Sequence, residues 1–259
     1  MNKLKVSVIT AVRNGLNVVG RTIDSVAEQS YPRIEHVVVD GASSDGTTKY
    51  LQTRMPEIDV FQSQPDSGVY DAFNNGLKLA TGDIIGYLNA GDVFANRNSV
   101  EHIMAYFGDC SVDAVFGDVA MTSQTNLSKV VRRYKSDSFT PGRMRYGFMP
   151  AHPTLYLRRS VYEILGGYDV SYGIAGDFEL ALRVFLRRAT VFRYAPEILV
   201  KMPVGGLSTR GWRSKWRITM EMRTACAKNL VRTNIFLLSL RFPIKTYELI
   251  KYRLWPSSE

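Results

Sequence analysis

A chain of 259 residues with 45% hydrophobic content can bury one large core, which excludes a disordered polypeptide and favours a single elaborated domain over two equal ones. The formal net charge of +9 suits an anionic partner, whether nucleic acid, a lipid surface or a phosphorylated substrate, without choosing among them. Cys110 and Cys226 each stand alone, without His or Cys at metal-ligand spacing, so neither a zinc site nor a disulfide framework is indicated and a reducing cytoplasm fits best.

The apolar run at the start is too brief for a signal peptide, and no segment is long and apolar enough to cross a bilayer. The residues Val6-Ser7-Val8-Ile9-Thr10-Ala11-Val12 are rich in β-branched side chains and stop at Asn14-Gly15, which predicts a buried strand running into a loop. Residues 17–29 read as a helix closed by Tyr31-Pro32. Residues 34–40 form a second strand that carries Asp40 at its C-terminal end, followed by the turn Gly41-Ala42-Ser43-Ser44-Asp45-Gly46. Helix is expected over 47–54 and 70–80, extended chain over 59–63, and a further apolar strand over 83–88 that ends at Asn89-Ala90-Gly91-Asp92. This alternation implies an α/β fold with a mostly parallel, Rossmann-like sheet. Ligands of such sheets lie outside the carboxyl ends of the strands, where Arg13, Asp40 and Asp92 would collect.

A helix over 98–107 and a strand over 112–119 follow, and the pattern then turns irregular through 122–153, where Pro, Gly, Arg and aromatic residues cluster. Helices are predicted over 160–165 and 176–188, the second with Asp177 in its first turn, and 190–201 returns as a strand. From Gly211 the composition shifts to basic residues interleaved with Trp212, Trp216, Phe236 and Trp255, the make-up of amphipathic helices that lie on anionic membranes. The expected organisation is a domain over 1–210 and a basic amphipathic helical tail over 211–259. The alternative for the tail is a solvated helix pair packed on the domain.

Four segments in order carry a resemblance: Val-Ile-Thr-Ala-Val-Arg-Asn at 8–14, Val-Val-Asp-Gly-Ala-Ser-Ser-Asp-Gly-Thr at 38–47, Gln-Pro-Asp-Ser-Gly-Val-Tyr-Asp-Ala-Phe-Asn-Asn-Gly at 64–76, and Ala-Thr-Gly-Asp-Ile-Ile-Gly-Tyr-Leu-Asn-Ala-Gly-Asp at 80–92. Together they resemble family 2 glycosyltransferases. The later Ala151-His152-Pro153, Gly166-Gly167-Tyr168-Asp169, Ala175-Gly176-Asp177-Phe178-Glu179-Leu180 and Gly205-Gly206-Leu207-Ser208 look like its bacterial exopolysaccharide branch, which includes colanic-acid-type transferases. The resemblance covers about residues 5–210 and leaves the tail unmatched. It implies a GT-A fold, a nucleotide-diphosphate sugar donor, Mg2+ or Mn2+, and inversion at the anomeric carbon during transfer to a hydroxyl of a glycan or lipid-linked acceptor.

By that resemblance Asp92 is the metal carboxylate, since a diphosphate leaving group accumulates charge that a nearby cation offsets. The family's Asp-x-Asp-type motif is reduced here to its last acid. The resemblance also implies that Thr10, Ala11 and Arg13 line the nucleotide pocket, that Asp40 accepts from the donor base, and that Asp66, Gly68, Asp71 and Asn74 sit beside the donor. For Asp40 and Asp45 an Asx-type turn is the alternative, and for Asp71 and Asn74 ordinary helix capping. Asp177 is the candidate base that takes the acceptor proton, with Glu179 competing. His152 and Ser208 are candidate contacts to acceptor or diphosphate, against a packed histidine and a plain loop turn.

Rival functions are weaker. A dinucleotide-dependent oxidoreductase lacks its Gly-x-Gly-x-x-Gly after the first strand, and the 41–46 turn has Thr47 where a P-loop has Lys. A non-catalytic membrane- or nucleic-acid-binding module remains as the alternative from another class. No nucleic-acid recognition motif is present, so nucleic acid is not expected as a partner. The expected location is the cytoplasm, at the inner face of the cell membrane.

Overall fold

The computed structural model describes residues 3–187, 190–205 and 211–243. Its first half alternates strand and helix: β1 (Val6–Val12), α1 (Leu16–Ala27), β2 (Ile34–Asp40), α2 (Thr47–Thr53), β3 (Val60–Ser63), α3 (Val69–Leu79) and β4 (Ile84–Tyr87). The apolar runs are continuous because both faces of these strands are covered. Val37 and Val39 face α3, whereas Val38 turns to the opposite face, where Val19 and Ile23 of α1 pack. Helix α1 buries Val19, Thr22, Ile23 and Val26, the spacing of a single apolar stripe. β1 lies parallel between β2 and β4, and β2 continues parallel to β3. The register sets Val12 beside Asp40 and Asp40 beside Ser63, so three strands end at one edge.

The second half adds β5 (Val93–Phe94), α4 (Ser99–Tyr106), β6 (Ala114–Thr122), β7 (Val130–Tyr134), β8 (Tyr156–Arg158), α5 (Arg159–Leu165), α6 (Gly176–Leu182) and β9 (Phe192–Pro203). The sheet order is β3-β2-β1-β4-β8-β6-β9-β5, with β7 on β6. β6 and β9 run parallel over most of their lengths, whereas β8 joins the two halves by short antiparallel pairings to β4 and β6.

Three expectations shift. The strand predicted over 112–119 runs from Ala114 to Thr122, because the longer β9 pairs with it as far as Thr122↔Pro203. The stretch read as irregular contains β7, whose polar Arg132-Arg133-Tyr134 hides it from a hydrophobic pattern. Buried Asp118 holds it through Arg133 Nε at 2.9 Å and Ser136 N at 2.8 Å. The helix expected over 176–188 stops as α-helix at Leu182 and widens into a π turn at Arg183–Arg187. There Arg183 reaches back to the Leu165 and Gly167 carbonyls, both at 2.7 Å, and ties the helix to the 165–167 turn.

Beyond these lie α7 (Gly211–Lys228) and α8 (Ile235–Ser239). Met222, Ala225 and Cys226 of α7 and Leu238 of α8 are buried in the same core as α3 and α6. Glu221 accepts from the Ile174 and Ala175 amides at 2.8 and 2.9 Å, and buried Arg241 donates to Thr219 Oγ1 at 2.8 Å. Part of the apolar surface read as membrane-facing is thus spent on the protein interior, whereas Trp216 and Phe236 stay exposed, and a boundary at 210/211 divides residues that share one core. Burying side chains of this size stabilises by about 1.5–3 kcal/mol each. Residues 244–259 of the expected tail lie outside the described residues.

Gly86 lies flat against the Tyr156 ring, where an added Cβ would come within 2.1 Å of a ring carbon. Gly86→Ala is expected to cost about 1–3 kcal/mol by overpacking, read as a lower urea midpoint at unchanged slope.

Candidate active site

The edge where β1, β2 and β3 end is laced by hydrogen bonds between two loops. Asn14 N donates to Ser43 Oγ at 2.7 Å, Ser44 N to Asn14 Oδ1 at 2.9 Å, and Leu16 N to Asp45 Oδ2 at 3.2 Å. A Cβ on Gly41 would stand 2.3 Å from Asp66 Oδ2 and 3.3 Å from Arg13 Cδ. The missing Cβ leaves room for Asp66 and Arg13 to approach the β2 end, which gathers the β1 end, the β2 end and the 64–68 turn at one place. Arg13 is exposed and Asp66 and Ala11 are half-buried. Gly68, at φ 137°, opens α3 and its amide donates to Asp66 Oδ1 at 3.0 Å.

Asp40 departs from expectation. It is fully buried, and its carboxylate accepts from Ser43 Oγ at 2.5 Å, Thr48 Oγ1 at 2.6 Å and Ser63 Oγ at 2.6 Å. Burial acts to raise its pKa, but these donors outweigh it and hold the carboxyl below the usual range. Its oxygens serve the turn, so the Asx-type reading describes it better than a contact to a donor base. Thr10 is likewise buried, its hydroxyl 3.1 Å from His36 Nε2 inside the sheet, and it does not line the edge.

Asp92 follows β4 and sits on the α1 side of the sheet. Thr22 Oγ1 donates to its carbonyl at 2.8 Å and receives the Gly91 amide at 2.8 Å, with Gly91 at φ 101°. Burial pushes the Asp92 carboxyl up to about 7, against the opposing pull of the Asn89 amide and the Arg21 guanidinium. The strand β5, not a helix, follows it, so Asp92 caps no helix.

Asp177 opens α6 on the α3 side. The residue keeps partial solvent access, yet its carboxyl is desolvated by the rings around it. That burial raises its pKa, while His152, the Phe178 amide at 2.8 Å and the Tyr70 hydroxyl pull it back. Burial pushes the His152 pKa below that of an ordinary imidazole, with Asp177 opposing. Its Nε2 lies 2.8 Å from Tyr168 Oη, and its ring stacks on Phe73 and Tyr87 at 5.8 and 6.0 Å. The histidine is therefore both a packed residue and a neighbour of the candidate base. Tyr70 and Tyr168, stacked at 5.5 Å, complete the enclosure. Sequence reasoning gave neither a role, although Tyr168 lies in the Gly-Gly-Tyr-Asp segment. Tyr87 ends β4 and Asn89–Asp92 follow, so Asp92 and Asp177 flank one strand end from its two faces.

Glu179 is excluded as the competing base. It is buried and grips Arg183 Nε and Nη2 at 2.9 and 2.8 Å, with Asn229 Nδ2 at 3.2 Å. Asp71, in the first turn of α3, accepts from the Ser67 amide at 2.9 Å, and Asn74 clamps the Tyr168 amide and carbonyl at 2.7 and 2.8 Å. Neither makes a side-chain cap of α3, so the capping alternative describes neither. They line a surface groove of about 460 Å3 with Leu77, Lys78, Gly167 and Val170, outside the Asp177 enclosure. Ser208 lies outside the described residues.

The profile of "Glycosyl transferase family 2" matches residues 7–165. The chain belongs to this family. An uncharacterized glycosyltransferase of Mycobacterium tuberculosis is 35% identical over 185 residues, which span 70% of this chain and 69% of that protein. The PGL/p-HBAD biosynthesis glycosyltransferase of Mycobacterium bovis is 30% identical over 207 residues, 78% of each. Among solved structures, the mannosyltransferase PcManGT from Pyrobaculum calidifontis, in complex with GDP-Man and Mn2+, superposes with a TM-score of 0.68 at 20% identity, over 100% of this chain and 77% of that one. S. aureus TarS 1-349, in complex with UDP-GlcNAc, superposes with a TM-score of 0.66 at 14% identity, over 91% and 71%. The fold is GT-A, and the enzyme is a family 2 glycosyltransferase.

The Asp92 carboxyl rises from 3.8 to about 7 on folding, so the folded glycosyltransferase binds its proton more tightly than the unfolded chain. Stability from this group is present below about pH 4 and is lost as pH rises towards 7. Asp92→Asn removes the loss. The variant is expected to gain on the order of 3–4 kcal/mol over wild type between pH 4 and pH 8, read from denaturant midpoints at the two pH values.

Proposed function

We propose that this glycosyltransferase moves a sugar, with inversion at its anomeric carbon, from a nucleotide-diphosphate donor to a hydroxyl of a glycan or lipid-linked acceptor in bacterial surface polysaccharide synthesis. The observation that carries the reading is the enclosure of Asp177. A base for an alcohol must hold its charge in a dry site and be matched in pKa to the working pH, and burial among Tyr70, Tyr168 and His152 raises this carboxyl towards that range. The acceptor oxygen forms its bond to the anomeric carbon as the bond to the diphosphate oxygen breaks. The acceptor proton goes to Asp177, and the nucleoside diphosphate leaves with the bonding electrons.

Donor binding is assigned to the strand edge at Arg13, Ala11, Asp66 and Gly68. Exposed Arg13 offers a planar cation for a base face or a phosphate. The residues fit a divalent cation in one respect: buried Asp92 is a hard oxygen donor whose charge is poorly compensated. No group of three His, Cys, Asp or Glu among the described residues forms a complete protein cage. Asp92 would therefore hold Mg2+ or Mn2+ together with donor phosphates and water, as is common where such ions meet phosphates. When bound, the ion supplies positive charge to the leaving diphosphate. The basic C-terminal region supports a reading of peripheral attachment to the inner face of the membrane. No helix among the described residues is long and apolar enough to cross a membrane.

Asp177→Asn is expected to lower kcat by at least about a hundredfold while leaving donor affinity within about twofold, measured by turnover and calorimetry. In the wild type, kcat/KM falls on the acid side as Asp177 is protonated, at a pH above the ordinary carboxylate range. An unchanged kcat in the variant removes Asp177 from the mechanism. A thermal-shift screen of UDP, GDP and dTDP sugars tests the donor assignment, since a ligand of the folded state alone raises the melting temperature. One nucleotide class should stabilise the wild type further with Mn2+, and this metal increment should vanish in Asp92→Asn.

A further inference from the structure

The turn between α7 and α8 places a leucine where the backbone asks for glycine. Val231 N donates to the Cys226 carbonyl at 2.8 Å and Leu230 N to the Ala227 carbonyl at 3.2 Å, the paired bonds of a Schellman end. Leu230 occupies its left-handed position at φ 60°. A Cβ disfavours that conformation, and burial normally offsets such a choice. Here the side chain is 90% exposed. Phe236, in α8 on the far side of the same turn, is 73% exposed.

The exposure does not come from a loose corner. Asn234 Oδ1 accepts from Leu237 N at 2.8 Å, Thr233 Oγ1 donates to the Arg145 carbonyl at 2.6 Å, and Asn229 Nδ2 reaches Glu179 Oε1 at 3.2 Å. Leu238 and Arg241 are buried beneath. Two large apolar side chains are thus presented on a fixed turn, one of them at a cost to the fold that no internal contact offsets.

Charge indicates the partner. No acidic residue lies between Glu221 and Glu248, whereas Arg223, Lys228, Arg232, Arg241 and Lys245 do. Arg232, inside the turn, and Arg145, bonded to it through its carbonyl, are exposed. The chain then continues beyond residue 243 with Lys245, Tyr247, Lys251, Tyr252, Arg253 and Trp255. Lys228 is bonded to Asp169 and Arg241 is buried, which leaves Arg145, Arg223 and Arg232 as exposed cations; apolar tips beside them match an anionic bilayer, where the tips enter the headgroup boundary and the cations meet lipid phosphates.

We propose that the α7–α8 corner is the membrane-docking element of this protein, with Leu230 and Phe236 inserting into an anionic phospholipid surface. The proposal rests on the reading of peripheral attachment and narrows it from the whole tail to one turn. The full chain is floated on phosphatidylcholine vesicles with and without phosphatidylglycerol, beside Leu230→Gly and Leu230→Gly/Phe236→Ser. Leu230→Gly should melt no lower than wild type, because glycine suits the left-handed position, yet bind the anionic vesicles several-fold more weakly, and the double variant at least about tenfold more weakly. Wild-type binding with unchanged binding of the double variant overturns the corner and leaves peripheral attachment standing. Absence of wild-type flotation overturns both. Equal binding to vesicles lacking phosphatidylglycerol overturns the anionic partner, and retention on polyglutamate without flotation assigns the corner to an acidic protein instead. A lower melting temperature for Leu230→Gly overturns the claim that the leucine disfavours the fold.

Discussion

Two residue pairs, Ile84↔Arg158 and Ile85↔Leu157, carry the antiparallel seam through which β8 joins the parallel β1-β2-β4 half to the β6-β9 half. A seam this short needs support, and the neighbouring arginines brace it. Arg159 donates to the Gly82 and Ala80 carbonyls, both at 2.8 Å, and Arg158 to the Val112 carbonyl at 2.6 Å. Gly86 allows the Tyr156 ring to lie flat against β4. The consequence is chemical as well as architectural, because His152 precedes β8 and Tyr87 ends β4. Closing the seam stacks the two rings and fixes the wall against which Asp177 is enclosed.

Around that wall, environment assigns different states to similar carboxyl groups. Asp40 and Asp177 are both desolvated, but hydroxyl donors around Asp40 outweigh its burial, whereas burial among rings lifts the pKa of Asp177 against the opposing pull of His152. Asp92 is lifted further, with an amide and one guanidinium as its counterweights. Glu179, two residues from Asp177, is held by Arg183 and Asn229 and takes no part in the enclosure. Separation of pKa values between nearby acids is how a site distinguishes a proton acceptor from a structural anion.

The C-terminal region divides along similar lines. Helix α7 uses its apolar stripe on α6 and the core, and Glu221 stitches the turn that leads into Asp177. The tail therefore supports the candidate base directly. What it leaves outside among the described residues is Trp216 on α7 and the corner at Leu230 and Phe236, and the energetic oddity of Leu230 distinguishes that corner from the scattered exposed hydrophobics any protein carries.

Local pattern alone was enough for the α/β alternation, the strand ends bearing Arg13, Asp40 and Asp92, and the place of Asp177 at the start of a helix, because side-chain periodicity and turn chemistry act over a few residues. The same pattern missed β7, since its polar strand is held by Asp118 from a strand twelve or more residues earlier in the chain. It could not tell that hydroxyl and amide donors hold the Asp40 pKa down while desolvation prevails at Asp177, nor that Met222, Ala225 and Cys226 of α7 face inward. Each of those outcomes depends on which distant groups arrive beside a side chain. Sequence spacing determines which face of an element is apolar or charged; desolvation and hydrogen-bond partners, which decide what a carboxyl does there, exist only once the chain has closed on itself.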